Sequence, residues 1–349
     1  MEPRIGVLIV DDSAYMRKLV SSIIEDSPEM YVIGKARNGL DALEKIKKLK
    51  PDVVTLDIEM PEMDGLVTLD YLMEECPVPV VMLSNGIDST LEAFERGAVD
   101  FVMKENLLNN SQEDIIIDFH KRVLLAANAR IPKRKRVKVS NEVVEPVEPN
   151  HLKIKNYMKD LVIIGSSTGG PSALQTILTQ FPKSFNIPIL VIQHMPPGFT
   201  KPLSERFDKL CELHVKEAEH NEILKAGTIY IAPAGLQTTV QKNDQDGYKV
   251  RLKITAPIET LYKPSVDVAL LSIATTCKEK LLSVILTGMG DDGLRGCHAV
   301  KAAGGTVLGE SEESCVVYGM PKVVFEAGLV DKQAPIDQMY DEIMKYLSL

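Results

Sequence analysis

Residues 5–13 read IGVLIVDDS, a run of apolar and glycine positions that stops abruptly at two carboxylates. A short unbroken apolar run bounded by polar residues is the pattern of a strand buried on both faces, as in a parallel sheet covered by helices. The run recurs downstream as VVTL (53–56), VPVVML (78–83) and FVM (101–103). Between the runs lie stretches of helical period such as ALEKIKKL (42–49). Five strand–helix units fit before the pattern fails near Ala127. Alternation of this kind predicts an α/β domain with a five-stranded, doubly wound parallel sheet over residues 1–127.

The rest of the 349 residues needs a second core, because single domains usually hold ~100–200 residues. Residues 130–150, RIPKRKRVKVSNEVVEPVEPN, are basic, then acidic and proline-rich, with no period on which a core face could form. A linker over 128–155 is therefore expected, followed by a domain over 156–349. That domain opens with LVIIG (161–165), a helix from about Pro171, IPILVI (187–192) and a helix after Pro202, and it returns to LLSVIL (281–286) and GTVL (305–308). Residues 221–255 read as short strands and turns, with NDQDG (243–247) as a hairpin tip. The expectation is a mainly parallel α/β sheet with a small antiparallel hairpin region.

Composition narrows the class. Hydrophobic residues make up 45% and charged residues 26%, ordinary for a soluble globular protein. No apolar run approaches the ~20 residues of a bilayer helix, and MEPRIGVLIVDDS has no secretory leader pattern. A cytoplasmic location without membrane insertion is expected. The five scattered cysteines form no CxxC pair, which argues against a disulfide frame or structural zinc. A net charge of −9 disfavours nucleic acid as a partner.

Two sets of residues carry chemistry. Asp11 and Asp12 follow the first strand and Asp57 ends the third, so the sheet gathers all three at its carboxyl edge, where such sheets bind ligands. Three carboxylates in one place call for a divalent cation, and hard Mg²⁺ suits an all-oxygen site. Asp57 can then act as a carboxylate nucleophile on a phosphoryl donor, with Ser84 hydrogen-bonding a phosphoryl oxygen and Lys104 offsetting its charge. Taken singly, each acid is as readily a helix cap or a solvated loop residue.

In the second domain, LVIIGSSTGGPSAL (161–174) reads as a strand, a glycine-rich turn and a helix with Pro171 in its first turn, which aims backbone N–H groups over the turn. His194 in VIQHMPPGF and Asp291 and Asp292 in LTGMGDDG each follow a later strand, so the loops converge on one sheet edge. Serine, histidine and aspartate are the set that activates a hydroxyl for acyl transfer. On the residues alone, Ser166 against Ser167 and Asp291 against Asp292 stay open. A receiver feeding a DNA-binding output would need a basic recognition helix after the linker, and a simple phosphate-binding module would have no use for His194 and Asp292.

Residues 1–127 resemble the receiver domain of response regulators through VDDS, LDIEMPEMDG, Ser84 and Lys104. The resemblance implies a five-stranded sheet, Mg²⁺ held by Asp11, Asp12 and Asp57, Asp57 as phosphoacceptor, a chemotaxis histidine kinase as donor, and Phe101 as the aromatic that moves with Ser84. Glu105 stands where many receivers carry proline after the lysine. GSSTGG, QHMPPGFT, YIAPAG, YKPSVDVAL and LTGMGDDG closely resemble the catalytic domain of chemotaxis protein-glutamate methylesterases. That resemblance implies Ser167 as nucleophile, His194 as base, Asp292 as orienting acid, and backbone N–H groups around Thr168 and Met289 near the oxyanion. It implies no cofactor for ester hydrolysis, methyl-accepting chemoreceptors as substrates, methanol as product, and deamidation of receptor glutamines by the same chemistry. Phosphorylation of Asp57 is expected to open an active site that the receiver covers through the face near Phe101.

Overall fold

The computed structural model describes residues 3–108, 113–131, 158–243 and 247–348. Most of the linker expected over 128–155 lies outside them. The first unit runs β1 (Ile5–Val10), α1 (Ala14–Glu25), β2 (Met30–Ala36), α2 (Gly39–Leu49), β3 (Val53–Asp57) and α3 (Gly65–Glu75). It continues through β4 (Val80–Ser84), α4 (Ile87–Arg96), β5 (Asp100–Met103), α5 (Lys104–Leu108) and α6 (Glu113–Ala127). Its sheet is parallel throughout, in the order β2-β1-β3-β4-β5. The apolar runs are buried on both faces as expected: Val7, Leu8, Ile9 and Val10 have no exposed surface.

The second unit starts with β6 (Leu161–Ser166), α7 (Gly170–Leu178), β7 (Ile189–Gln193), α8 (Thr200–Leu210), β8 (His214–Glu217) and β9 (Thr228–Ile231). The hairpin β10 (Gln237–Lys242) and β11 (Tyr248–Lys253) follows, then α9 (Val266–Cys277), β12 (Leu281–Ile285), α10 (Leu294–Ala302) and β13 (Thr306–Glu310). The chain ends with α11 (Met320–Glu326), β14 (Lys332–Ala334) and α12 (Ile336–Tyr346). Seven parallel strands lie in the order β14-β13-β12-β6-β7-β9-β8, and β10 pairs antiparallel with β11 as a separate ribbon. Both the parallel sheet and the hairpin agree with the reading of the sequence. No described helix is long and apolar enough to cross a membrane.

Strand order decides where the chemistry collects. β6, β7 and β12 are adjacent at the centre of the large sheet, so the loops after Ser166, Gln193 and Ile285 leave its carboxyl edge side by side. β1 and β3 are likewise neighbours in the small sheet, which places Asp11 beside Asp57.

One glycine sets the loop behind the acid cluster. A Cβ on Gly65 would sit 2.0 Å from the backbone oxygen of Asp57 and 2.8 Å from Cα of Ile58. Backbone cannot yield as a flexible side chain can, so Gly65→Ala is expected to cost ~1–3 kcal/mol and to lower the thermal unfolding midpoint of the first domain by several degrees. Calorimetry checks this, and an unchanged midpoint would show that the loop after β3 is free to move.

Candidate functional site

The turn that carries the serine doublet is built where β6 meets α7. Gly169, at φ 76°, lets the chain turn into the helix. The serine doublet divides sharply there. Ser166 is fully buried and donates to Gln193 Oε1 at 2.7 Å, so its hydroxyl is committed. Ser167 is half-buried and lines a cavity of about 720 Å³ together with Thr168, His194, Tyr262 and Met289. The Ser167 backbone is pinned on both sides: its N–H donates to Thr287 O at 3.0 Å, and its carbonyl accepts from Gln193 Nε2 at 3.0 Å and Gly170 N at 2.7 Å. Thr287 in turn donates its N–H to the buried Glu310 and its hydroxyl to Thr168 O at 3.0 Å.

His194 leaves the end of β7 with its backbone N–H on Ser166 O at 3.0 Å. Its Nε2 meets Asp292 Oδ2 at 2.8 Å, while its Nδ1 is buried and has no hydrogen-bond partner. Asp292 is 4% exposed, whereas Asp291 is exposed to solvent, so the aspartate doublet also divides. Asp292 accepts from Ser265 Oγ at 2.8 Å, Val266 N at 2.7 Å and Asp267 N at 3.0 Å as well as from His194. Burial alone would raise its pKa, but the histidine and these backbone donors outweigh burial and hold the carboxyl below its ordinary value. Asp267 sits beside it and is pushed up to about 6 by burial, against the N–H groups of Gly296 and Gly293 that it accepts. The two neighbouring carboxyls thus titrate far apart, with Asp292 the one that stays ionised.

The acid cluster lies at the carboxyl edge of the small sheet. Asp11 and Asp57 are buried and Asp12 is exposed, and one ligand oxygen from each falls within 4.8 Å of the others. Lys104 Nζ stands 2.6 Å from Asp57 Oδ2 and 3.0 Å from Asp11 Oδ2, an ion pair with each. Burial first, then the charge of Asp11, push the Asp57 carboxyl up to about 6 despite the opposing pull of Lys104. Ser84 closes its own turn, donating to Gly86 O at 2.8 Å. The Lys104–Glu105 bond is trans, since Lys263–Pro264 is the one cis peptide among the described residues.

The Ser167 cavity lies at the boundary with the first domain. Phe101 is 4% exposed, and its ring lies 4.7 Å from that of Phe199 in the second domain and 5.7 Å edge-on from Phe94. Thr168 Oγ1 donates to Asp100 Oδ2 at 3.3 Å, Arg122 clamps the same carboxylate, and Arg206 pairs with Glu95. The cavity at Ser167 is walled on one side by Phe94, Phe101, Asp118 and Arg122 of the first domain. Gln193, Tyr262, Ser265, Asp267, Thr287 and Glu310 were not singled out in the sequence. Gln193, Thr287 and the 262–267 residues do fall within the quoted motifs, but residue type alone gives no sign of which ones touch the histidine or the acid.

Residues 162–343 match the family described as CheB methylesterase, and residues 7–115 match the response regulator receiver domain. A protein-glutamate methylesterase/protein-glutamine glutaminase of Halalkalibacterium halodurans is 42% identical over 99% of this chain and 99% of its own length. A protein of the same name from Lawsonia intracellularis is 40% identical over 98% and 99%. The crystal structure of the Thermotoga maritima CheB methylesterase catalytic domain is 44% identical and superimposes with a TM-score of 0.52, covering 54% of this chain and 98% of that one. With both domains matched and its relatives aligned end to end, the chain belongs to the CheB methylesterase family, as a member that carries a response regulator receiver domain ahead of the catalytic domain.

Proposed function

We propose that this protein hydrolyses glutamate γ-methyl esters on the cytoplasmic helices of methyl-accepting chemoreceptors, with Ser167, His194 and Asp292 as its triad. The observation that carries this reading is the buried His194–Asp292 hydrogen bond at a cavity that also holds Ser167. Ser167 Oγ attacks the ester carbonyl while its proton passes to the unpartnered Nδ1 of His194. Asp292, kept ionised, supports the imidazolium, and backbone N–H groups around Thr168 and Met289 receive the oxyanion. Collapse breaks the C–O bond to the methoxy group, which leaves as methanol with the histidine proton. Water activated by His194 then releases the glutamate and restores Ser167. Glutamine enters the same path with ammonia as the leaving group, in keeping with the second activity in the relatives' names.

Ser167→Ala is expected to lower methanol release from methylated receptor membranes by on the order of 10⁴-fold or more, while Ser166→Ala keeps most of it. Release that persists in Ser167→Ala would sink the nucleophile assignment.

The receiver is the control element of this reading, with Asp57 accepting a phosphoryl group from the chemotaxis histidine kinase. Three carboxylates with oxygens within 4.8 Å of one another, an all-oxygen donor set, fit Mg²⁺ held by Asp11, Asp12 and Asp57. The ion, when bound, neutralises the cluster and shares phosphoryl oxygens. Lys104 offsets the added charge, and Ser84 leaves Gly86 to bond the phosphoryl group. Ser84 ends β4, and Met82 two residues back pairs with Phe101 on β5, so a shift at Ser84 is carried to the ring that packs on Phe199. Closure over the cavity is thereby released.

The acid cluster makes a signed prediction. A carboxyl raised in the folded state from its ordinary 3.8 to about 6 holds its proton more tightly than the unfolded chain does. Stability is then lost as pH rises from about 4 through 6, and the ionised form is penalised above that window. In EDTA, Asp57→Asn is expected to stabilise the receiver by up to ~2–3 kcal/mol at pH 8 and by almost nothing near pH 4. Urea unfolding at the two pH values reads this directly; equal gains at both would refute the linkage.

The closed boundary is tested through its ion pair. Glu95→Arg sets like charges against Arg206 and is expected to raise unphosphorylated methylesterase activity about 5-fold, a shift of ~1 kcal/mol. Adding Arg206→Glu should restore the low basal rate. Basal activity that ignores both changes would mean that this face does not hold the closed state.

A further inference from the structure

We infer that Tyr262 is a positioning residue for the base, an aromatic backing plate that fixes the plane of the His194 imidazole; this rests on the Ser167–His194–Asp292 reading above. The two rings are parallel, with centroids 4.1 Å apart and planes 3° from one another. A histidine held only through Nε2 on Asp292 can still tilt about that bond, and tilting displaces the free Nδ1 that must meet the serine proton. A flat ring stacked on the imidazole removes that freedom. Its electron-rich face also attracts the positive charge that the imidazole carries once it has taken the proton.

The local architecture argues that this stack is built and not incidental. Tyr262 belongs to the same short segment that cradles Asp292 through Ser265 Oγ, Val266 N and Asp267 N. Gln237, with no exposed surface, clamps that segment at both ends: its Nε2 donates to Tyr262 O at 2.6 Å, and its Oε1 accepts from Ser265 N at 3.0 Å. The face that stacks on the imidazole and the groups that hold its carboxylate partner are thus carried by one clamped piece of backbone. His194 is held between them, face on one side and Nε2 on the other. The phenol hydroxyl has no part in this, so the aromatic face is the functional element.

The test is the rate at which a small fluorophosphonate labels the full-length protein in the presence of phosphodonor and Mg²⁺, a readout that needs no receptor docking. Tyr262→Phe is expected to label within about twofold of wild type, and Tyr262→Leu on the order of 10-fold more slowly with its thermal midpoint little changed. His194 ring C–H protons should be shifted upfield by the neighbouring ring in wild type and Tyr262→Phe and lose that shift in Tyr262→Leu. Wild-type labelling by Tyr262→Leu, or a Phe variant as slow as the Leu variant, overturns the inference, as does the absence of an upfield shift in the unmodified protein. Labelling that survives Ser167→Ala would instead overturn the nucleophile assignment, and the two failures are told apart by which variant reports them.

Discussion

A carboxylate that is 4% exposed and still ionised is the constraint around which the catalytic half is arranged. Burying such a charge costs several kcal/mol unless donors replace the lost water. Asp292 finds four of them: the His194 ring, the Ser265 hydroxyl and two backbone N–H groups at the start of α9. Those N–H groups are free because they stand in the first turn of a helix, where no carbonyl lies upstream to receive them. The acid is therefore both the partner of the histidine and an acceptor at a helix N-terminus. α9, the loop after β12 and the histidine loop after β7 are joined through its two oxygens.

Two other buried acids, Asp267 and Asp57, have fewer hydrogen-bond donors. Asp267 accepts two backbone N–H groups and is still pushed up to about 6. Asp57 accepts a long bond from Glu59 N at 3.3 Å and pairs with Lys104, but it lies buried beside another carboxylate and is likewise raised. The difference suits the tasks proposed for them. An acid that must stay charged through a catalytic cycle needs a complete donor shell, whereas an acid that must accept an incoming group needs an incomplete one. Gathering Asp11, Asp12 and Asp57 in one place sets like charges together that Lys104 only partly offsets, and that concentration of charge is the source of the site's affinity for a cation.

The parts of this plan that were legible in the sequence are those written in contiguous runs. Unbroken apolar strands such as IGVLIV and LVIIG announced two parallel sheets, and polar residues placed directly after them announced the functional edge. The strands that were not foreseen are β8 (HVKE) and β14 (KQA), which lie at the two edges of the large sheet. An edge strand has a solvated side and is often short and charged, so its composition looks like that of a loop. The sequence left each doublet open because neighbours in a chain share a loop, and only burial separates Ser166 from Ser167 or Asp291 from Asp292. Glu310 and Gln237 were beyond reach for another reason: their partners lie 23 and 25 or more positions away, and only the sheet order brings them together.

The boundary between the domains must be able to open if it is to serve as a switch. Phe101 on Phe199, Thr168 on Asp100 and the Glu95–Arg206 and Arg130–Glu312 pairs cross it, and Leu91 and Phe94 of α4 share one apolar cluster with Leu174, Leu203 and Phe207 of the second domain; the ion pairs are partly exposed and worth little. A phosphoryl group on Asp57 can shift a closed–open equilibrium only by its differential interaction with the two states, which for coupled sites is typically ~1–3 kcal/mol. An interface much stronger than that would stay shut whatever happened at Asp57. The position of the contacts matters more than their number: Thr168 adjoins the serine, and Phe101 sits on the strand next to Ser84. Closure therefore covers the cavity and also engages a side chain of the nucleophile turn itself. Opening would free both at once, so the switch would act on the reaction at the point where small displacements have the largest effect.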